Sequence, residues 1–217
     1  MNKLIHYFPE LTSSQISQFE TLVKLYTYWN SKINLISRKD INEIEVRHFI
    51  HSLSISKIFS FKPKTNILDV GTGGGFPGIP LAIIFPKVNF HLTDSIGKKI
   101  KVVNEIKNNL GLKNVYAEQI RSENVKNNYD FIVNRAVTNM RNLVSLVGGK
   151  ISCKNNRNSI KNGIISLKGG DLENELKSFN NPYIYHLNEH FDEPFFQTKK
   201  IVYIPSPCMG KDNSLEG

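Results

Sequence analysis

The sequence predicts an α/β fold: a doubly wound, mostly parallel sheet with an antiparallel hairpin at one edge and a helical cap at its N-terminal side. Three observations point to it. A short apolar segment, Asn66-Ile67-Leu68, runs into an acid and a glycine loop, Asp69 to Gly75, and then into a second apolar stretch, Ile79 to Phe85. A strand feeding a glycine loop and then a helix is the first crossover of a nucleotide-type sheet. Beyond Lys62-Pro63-Lys64, segments rich in strand formers alternate with segments of helical period, which is the pattern of a parallel sheet. Before that tripeptide only the helical period is present.

Taken in order, the cap opens with Thr12-x-x-Gln15, a capping box, followed by Ile16, Phe19, Leu22, Val23, Tyr26 and Ile33 at helical spacing. Asp40-x-x-Glu43 reads as a second box, with Ile44, Phe49 and Leu53 lining one face of the next helix. The corner between them is Trp29 to Ser37. Strands are expected at Asn66–Val70, Val88–Thr93, Asn114–Glu118, Phe131–Asn134, Gly163–Leu167, Tyr183–Leu187 and Lys200–Ile204. Helices are expected at Ile79–Phe85, Lys98–Leu110, Thr138–Val147 and Asp171–Phe179, with Gly111 stopping the second. No helix clearly separates the last two strands, so they are expected to pair antiparallel. Lys150 to Asn162 is basic and asparagine-rich and reads as a mobile loop. The expected organisation is a cap over 1–61, a sheet domain over 62–210 and a polar tail over 211–217.

Composition sets bounds. A chain of 217 residues with 40% hydrophobic content holds one ordinary core. Lys and Arg number 28 against 19 acids, a formal charge of +9, which favours a polyanionic partner and nucleic acid first. Part of that excess is lysine in an Asn- and Ile-heavy chain, so biased codon usage also contributes. Two cysteines, Cys153 and Cys208, are too few and too far apart for a disulfide framework or a zinc site. There is no apolar run of membrane-span length and no signal-peptide core. The expectation is a cytoplasmic protein, monomeric, with no membrane partner and no metal.

The glycine loop can be read in two frames. From Asp69 it is acid-x-Gly-x-Gly-x-Gly, the pattern of an S-adenosylmethionine loop. From Gly73 it is Gly-x-Gly-x-x-Gly, the dinucleotide fingerprint. The second frame starts three residues further from the strand, places Pro77 inside the turn and leaves Asp69 unexplained. A carboxylate repels a pyrophosphate but attracts the ammonium of S-adenosylmethionine, directly or through water. The methyl-donor frame is therefore favoured. Asp94 closes the second strand, where a doubly wound sheet presents an acid to both ribose hydroxyls; its alternative role is to cap the helix beginning near Ile96.

Absent motifs narrow the chemistry. The Asn/Asp-Pro-Pro-aromatic loop used on exocyclic amines is missing after strand four, where Asn134-Arg135-Ala136-Val137 stands instead. Methylation of pyrimidine carbon needs a cysteine nucleophile, and neither Cys153 in the basic loop nor Cys208 after the last strand is well placed. What remains is a target whose lone pair is already free, such as guanine N7, which needs positioning but no general base. An arginine suits guanine through O6, provided it leaves N7 clear.

These residues resemble the glucose-inhibited division protein B (RsmG) family. The resemblance is carried by Asp69-Val-Gly-Thr-Gly-Gly-Gly-Phe-Pro-Gly-Ile-Pro-Leu81, Leu92-Thr-Asp-Ser-Ile-Gly-Lys-Lys99, Arg121-Ser-Glu123, Asn134-Arg-Ala136 and Leu167-Lys-Gly169. Upstream, Trp29-Asn30, Asn34-Leu35, Val46-Arg-His48 and Ser52-Leu53 also fit. It implies a Rossmann-like class I methyltransferase sheet, S-adenosylmethionine as cofactor, and methylation of N7 of one guanine in the decoding-region loop of 16S ribosomal RNA. The implied partner is the small ribosomal subunit or its 16S rRNA. By the same carry-over Gly71 and Phe76 line the donor, with Asp69, Gly73 and Asp94 beside them, and the Ser122-Glu123 backbone meets the adenine. Arg135 lies near the reacting end, on the donor carboxylate or the target nucleotide, as the catalytic candidate. Two positions depart from the pattern: His51 stands where the family usually has aspartate, and Ile36 where threonine is usual.

Other residues carry two readings each. Arg121 contacts phosphate or pairs with Glu118 or Glu123. Lys168 neutralises a backbone phosphate or is simply solvated. His48 faces RNA or is a core histidine, and Asn34 and Arg47 are assigned with it to substrate. Three further functions stay open: an NAD-dependent oxidoreductase in the Gly73 frame, a noncatalytic RNA-binding module, and a methyltransferase acting on protein or a small molecule.

Overall fold

In chain order the elements are α1 (Asn2–Tyr7), α2 (Ser13–Asn30), α3 (Arg38–Ile41), a π-helical turn (Glu45–Ile50) continuing into α4 (His51–Ile58), β1 (Asn66–Val70), α5 (Gly78–Ile84), β2 (Asn89–Asp94), α6 (Gly97–Asn109), β3 (Val115–Gln119), β4 (Phe131–Arg135), α7 (Met140–Val147), β5 (Gly163–Gly169), α8 (Glu173–Leu176), β6 (Tyr183–His186) and β7 (Lys199–Pro205). The structure is a computed structural model and describes residues 1–135, 138–153, 157–180 and 182–206. Cys208 and the expected tail at 211–217 lie outside the described residues.

The seven strands form one sheet in the order β3-β2-β1-β4-β5-β7-β6. β1, β2, β3, β4 and β5 are parallel. β7 inserts antiparallel against β5 and pairs antiparallel with β6 at the edge, as expected for two strands with no crossover helix between them. The order reverses at β1, which brings the ends of β1, β2 and β4 together; this is the switch point where open α/β sheets bind ligands.

Side chains alternate along each strand, so each face of the sheet buries its own core. One face, with Ile67, Phe90, Val133, Ile165 and Ile201, packs in a single cluster with Phe19, Leu22, Tyr26, Phe49 and Leu53 of the cap and with α5 and α6. The other, with Leu68, Val70, Ile132, Ile164 and Val202, is covered by Met140, Leu143 and Val147 of α7 and Leu176 of α8. Among the described residues no helix is long and apolar enough to cross a membrane.

The Thr12 capping box forms with both of its hydrogen bonds. Gly111 follows α6 with φ +66°, so the left-handed stop falls at the expected position. Three expectations need correction. Asp40 and Glu43 do not make a capping box: Ser37 caps α3, and both carboxylates turn instead to Arg47, at 3.2 and 3.0 Å. The helix expected over Asp171–Phe179 is only one turn, too short to gain from propagation after the cost of nucleation. The segment read as a mobile loop is pinned at both described ends. Ile151 bridges Tyr129, and the buried Asn158 accepts from the Lys62 amide (2.8 Å) and the Thr65 hydroxyl (3.1 Å). Residues 154–156 lie outside the described residues.

The cap meets the glycine loop through Tyr26, whose ring is fully buried and whose hydroxyl donates to the Gly74 carbonyl at 2.6 Å. Burial pushes the phenol pKa up, so the proton stays on as a donor. Tyr26→Phe leaves that buried carbonyl without a partner, and we expect a loss of about 1–2 kcal/mol. A lowered urea midpoint with unchanged slope is the expected result.

Candidate functional site

Asp69, the penultimate residue of the first strand, is fully buried on the face that carries the cap. Its Oδ2 accepts from the Thr72 hydroxyl at 2.6 Å and from the Gly78 amide at 2.8 Å, while Oδ1 has no partner among the described residues. The Gly78 amide opens α5, so the N-terminus of that helix is already filled by the chain's own carboxylate. An incoming pyrophosphate would need that place. The dinucleotide frame therefore fails on geometry, and the acid-first frame stands. Gly78 admits no side chain here: a Cβ would lie 2.6 Å from Asp69 Oδ2 and 2.8 Å from Leu92 Cδ1.

Asp94, at the end of the neighbouring strand, is held by two backbone amides and does not itself cap α6, whose N-cap is Ile96. Oδ2 accepts from the Gly73 amide and Oδ1 from the Ile96 amide, each at 2.9 Å. It closes the loop and shapes the entry to α6, and each oxygen keeps a free lone pair. Gly73 holds φ +57°, a left-handed conformation that glycine adopts without a Cβ penalty. Ser122 and Glu123 form a 3-10 turn directly after β3, at the same edge of the sheet. Lys150 fixes that turn by donating to the Glu123 and Val125 carbonyls. Asp69, Gly71, Gly73 and Asp94 are thus one constellation, with Ser122 and Glu123 one strand away.

A second constellation lies where β4 and β5 end beneath the cap. Arg135 donates from Nη1 to the Arg47 carbonyl (3.2 Å) and from Nη2 to His48 Nδ1 (2.8 Å), and its guanidinium sits 4.9 Å from the Phe76 ring centroid. Burial pulls its pKa down to about 10, with Asp69 opposing the shift, so the charge is retained. His48 is the acceptor in this pair. Its burial and the Arg135 charge lower its pKa to about 3. Phe76 is stacked on Tyr26 with ring centroids 4.8 Å apart and is buried in the cap contact, so its ring belongs to the seam between cap and sheet.

These residues border a cleft of about 510 Å³, whose lining includes Asp40, Arg47, His48, Arg135, Lys168 and Lys199. Arg47 is held by two carboxylates. Lys168 is neither solvated nor free: it donates to the Thr138 carbonyl and pairs with Glu175, both at 2.6 Å, and Glu175 also receives the Met140 amide that begins α7. Arg121 is exposed and forms no ion pair among the described residues, since Glu118 faces His91 instead. Neither Arg121 nor Asn34 lines the cleft. At the corner it is Asn30, not Asn34, that organises the backbone, accepting from the amides of Leu35 and Ile36. His51, the departure from the family pattern, is buried edge-on against Phe195 and Phe196, and burial drives its pKa well below the ordinary histidine value.

Sequence reasoning gave no site role to Tyr26, Thr72, Asp40, Phe195 or Lys199. Tyr26 carried a usable signal, because a tyrosine on an apolar helical face must find a partner for its hydroxyl once buried. The others carried none, since each partner is set by how the cap meets the sheet.

Comparison with known proteins agrees with this picture. The protein-family model for rRNA small subunit methyltransferase G matches residues 15–202. The ribosomal RNA small subunit methyltransferase G of Christiangramia forsetii is 57% identical over 94% of this chain and 96% of its own length. That of Flavobacterium psychrophilum is 56% identical over 94% and 98%. Among solved structures, a mutant of MtNAS in complex with S-adenosylmethionine superposes with a TM-score of 0.55 at 10% identity, covering 89% of this chain and 76% of that one. At that identity the likeness is one of fold.

Burial raises the Asp69 pKa to about 7, against the pull of Thr72, Gly78 and Arg135. A raised folded-state value adds stability at low pH that is lost as pH climbs from about 4 through about 7. Asp69→Asn keeps an acceptor for Thr72 and Gly78 and removes the titration. Its stability relative to the parent protein should rise by on the order of 1–3 kcal/mol between about pH 5 and about pH 8. Parallel pH profiles of the two urea midpoints would show that the folded-state pKa of this carboxyl is not raised.

Proposed function

The chain belongs to the rRNA small subunit methyltransferase G family, and we propose that it moves a methyl group from S-adenosylmethionine to N7 of one guanine in the decoding-region loop of 16S rRNA. It acts as a monomer, on the small subunit or its rRNA, through a donor-binding sheet and a helical cap divided near residue 61. The observation that carries the donor assignment is the bare Oδ1 of Asp69. A buried carboxylate oxygen without a donor is costly, and the ammonium of S-adenosylmethionine supplies the missing partner directly or through one water. The free lone pairs of Asp94 suit the two ribose hydroxyls, the amides near Gly71 the methionine end, and the Ser122–Glu123 backbone the adenine. Phe76 shapes this site through its backbone while its ring holds the cap.

When bound, S-adenosylmethionine provides an electrophilic methyl carried on a sulfonium. The remainder falls to the chain's own residues. Guanine N7 carries no proton, so its lone pair can form the new N–C bond while the C–S pair leaves to sulfur, and no general base is required. His48 fits that economy: its Nδ1 is taken by Arg135 and its ring is neutral. Arg135 holds its charge at the meeting point of loop, cap and cleft, where it can steer the donor carboxylate or the target phosphate. Arg47 and Lys168, each paired with carboxylates, fix the cleft walls, and Arg121 with Asn34 extends the RNA contact outside it. Excluding water from this cleft and holding N7 in line with the methyl are the sources of rate.

The test is transfer of labelled methyl to undermethylated small subunits, with nuclease mapping of the modified base; label at any other base or atom would refute the assignment. Arg135→Ala is expected to lower single-turnover methylation by at least about 100-fold. Near-normal rates would remove Arg135 from the reaction. Asp94→Ala is expected to weaken donor binding by about tenfold or more, measured by titration calorimetry, and unchanged affinity would reject its ribose role.

A further inference from the structure

Among the described residues Asp40 is the only carboxylate lining the cleft. Its two oxygens are fixed from different sides: Oδ1 receives Arg47 Nη1 at 3.2 Å and Oδ2 receives the Ser37 hydroxyl at 2.7 Å. Each oxygen retains a lone pair, and the side chain is 32% exposed, so the outward edge of the carboxylate is open. A rigid carboxylate with two free lone pairs is the complement of two adjacent donors. Among the RNA bases guanine alone presents such a pair on its Watson–Crick edge, N1–H beside the amine on C2. Adenine offers an acceptor at N1, which the same carboxylate repels.

We propose that Asp40 selects the target base by accepting these two hydrogen bonds from guanine. The inference rests on the guanine-N7 reading above and explains how that reading meets a cationic site. A base gripped at N1 and C2 presents its Hoogsteen edge, with N7, on the opposite side. No arginine fork then needs to lie across O6 and N7, and the fork of Arg135 is already committed to the Arg47 carbonyl and to His48. Arg47 acts here as a positioning residue: with Glu43 3.0 Å from its Nε, it is anchored before it holds Asp40.

The experiment compares small subunits reconstituted with 16S rRNA carrying guanosine or inosine at the target. Inosine keeps N7 and N1–H and lacks only the amine on C2. The parent enzyme should methylate inosine with kcat/KM about 10- to 100-fold lower. Asp40→Asn should lose a similar factor on guanosine, while its guanosine-to-inosine ratio falls to within about threefold of unity. Asp40→Glu should restore part of the preference. Thermal melting and donor calorimetry on each variant identify a folding or donor-site defect. A parent enzyme indifferent to inosine, or an Asp40→Asn variant that slows both substrates equally and keeps the parent ratio, would overturn the role of Asp40 while leaving guanine methylation intact. A parent enzyme that transfers nothing to guanosine-bearing subunits would overturn the underlying reading instead.

Discussion

The arrangement turns on one carboxylate taken out of water. Asp69 gives a single oxygen to both Thr72 and the first amide of α5, and this cross-brace sets the glycine loop, the start of the helix and the position of Phe76 between them. Burying a carboxylate is unfavourable unless hydrogen bonds and charge offset the lost hydration. Here two bonds and the nearby Arg135 do part of that, while burial still holds the carboxyl pKa above its ordinary value. The same brace fills the helix terminus with the chain's own carboxylate and so disfavours a pyrophosphate there.

The second constraint is the seam between cap and sheet. Arg135 reaches out of β4 to an imidazole and to a backbone carbonyl in the cap, and Phe76 stacks on Tyr26, which in turn holds the loop at Gly74. The carbonyl of Arg47 lies in the π-helical turn Glu45–Ile50, where the wider winding alters the hydrogen-bond ladder. Loop, cap and cleft are therefore linked through a few side chains, and the cleft exists only because the cap is seated. Charge is distributed unevenly along it. Arg47 and Lys168 are neutralised internally by Asp40, Glu43 and Glu175, whereas Lys199 at the rim has no carboxylate partner among the described residues and lies 4.8 Å from the Phe195 ring centroid. The net positive charge of the chain is thus not a measure of how many cations face a ligand.

What the sequence disclosed follows from locality. The strands, the Thr12 box, the stop at Gly111 and the acid-first reading of the loop depend on residues within a few positions of one another, and these appear as expected. Asp40 and Glu43 misled because their spacing suits a capping box, yet a cation one helical turn further on, Arg47, competes successfully for both carboxylates. Asn158 misled for a related reason. Asparagines in a polar stretch suggest solvent, but this amide enters the interior to satisfy groups at Lys62 and Thr65, nearly a hundred residues earlier. Lys168 and Arg121 show the same limit in opposite directions: one finds Glu175 and is neutralised, and the other loses Glu118 to His91 and is not. Which cation keeps its charge for a ligand is decided by tertiary partners, and no local pattern encodes it.

The histidines of the cleft bear on what kind of reaction it can support. His48 accepts from Arg135 through Nδ1, which places its remaining proton on Nε2 and leaves no free basic nitrogen on the ring. Its folded-state pKa is lowered, so it adds stability above the ordinary histidine value that is lost as pH falls toward about 3. His51 is shifted in the same direction by burial and by the same arginine. Both rings are consequently uncharged at neutral pH, and charging either would place a second cation beside Arg135. A cleft that needed a proton shuttle would hold an imidazole near its ordinary pKa; this one instead suppresses titration at both of its histidines. That suits the guanine nucleophile proposed above, whose lone pair is already available, and under that proposal selectivity falls to groups that recognise the base rather than to groups that activate it.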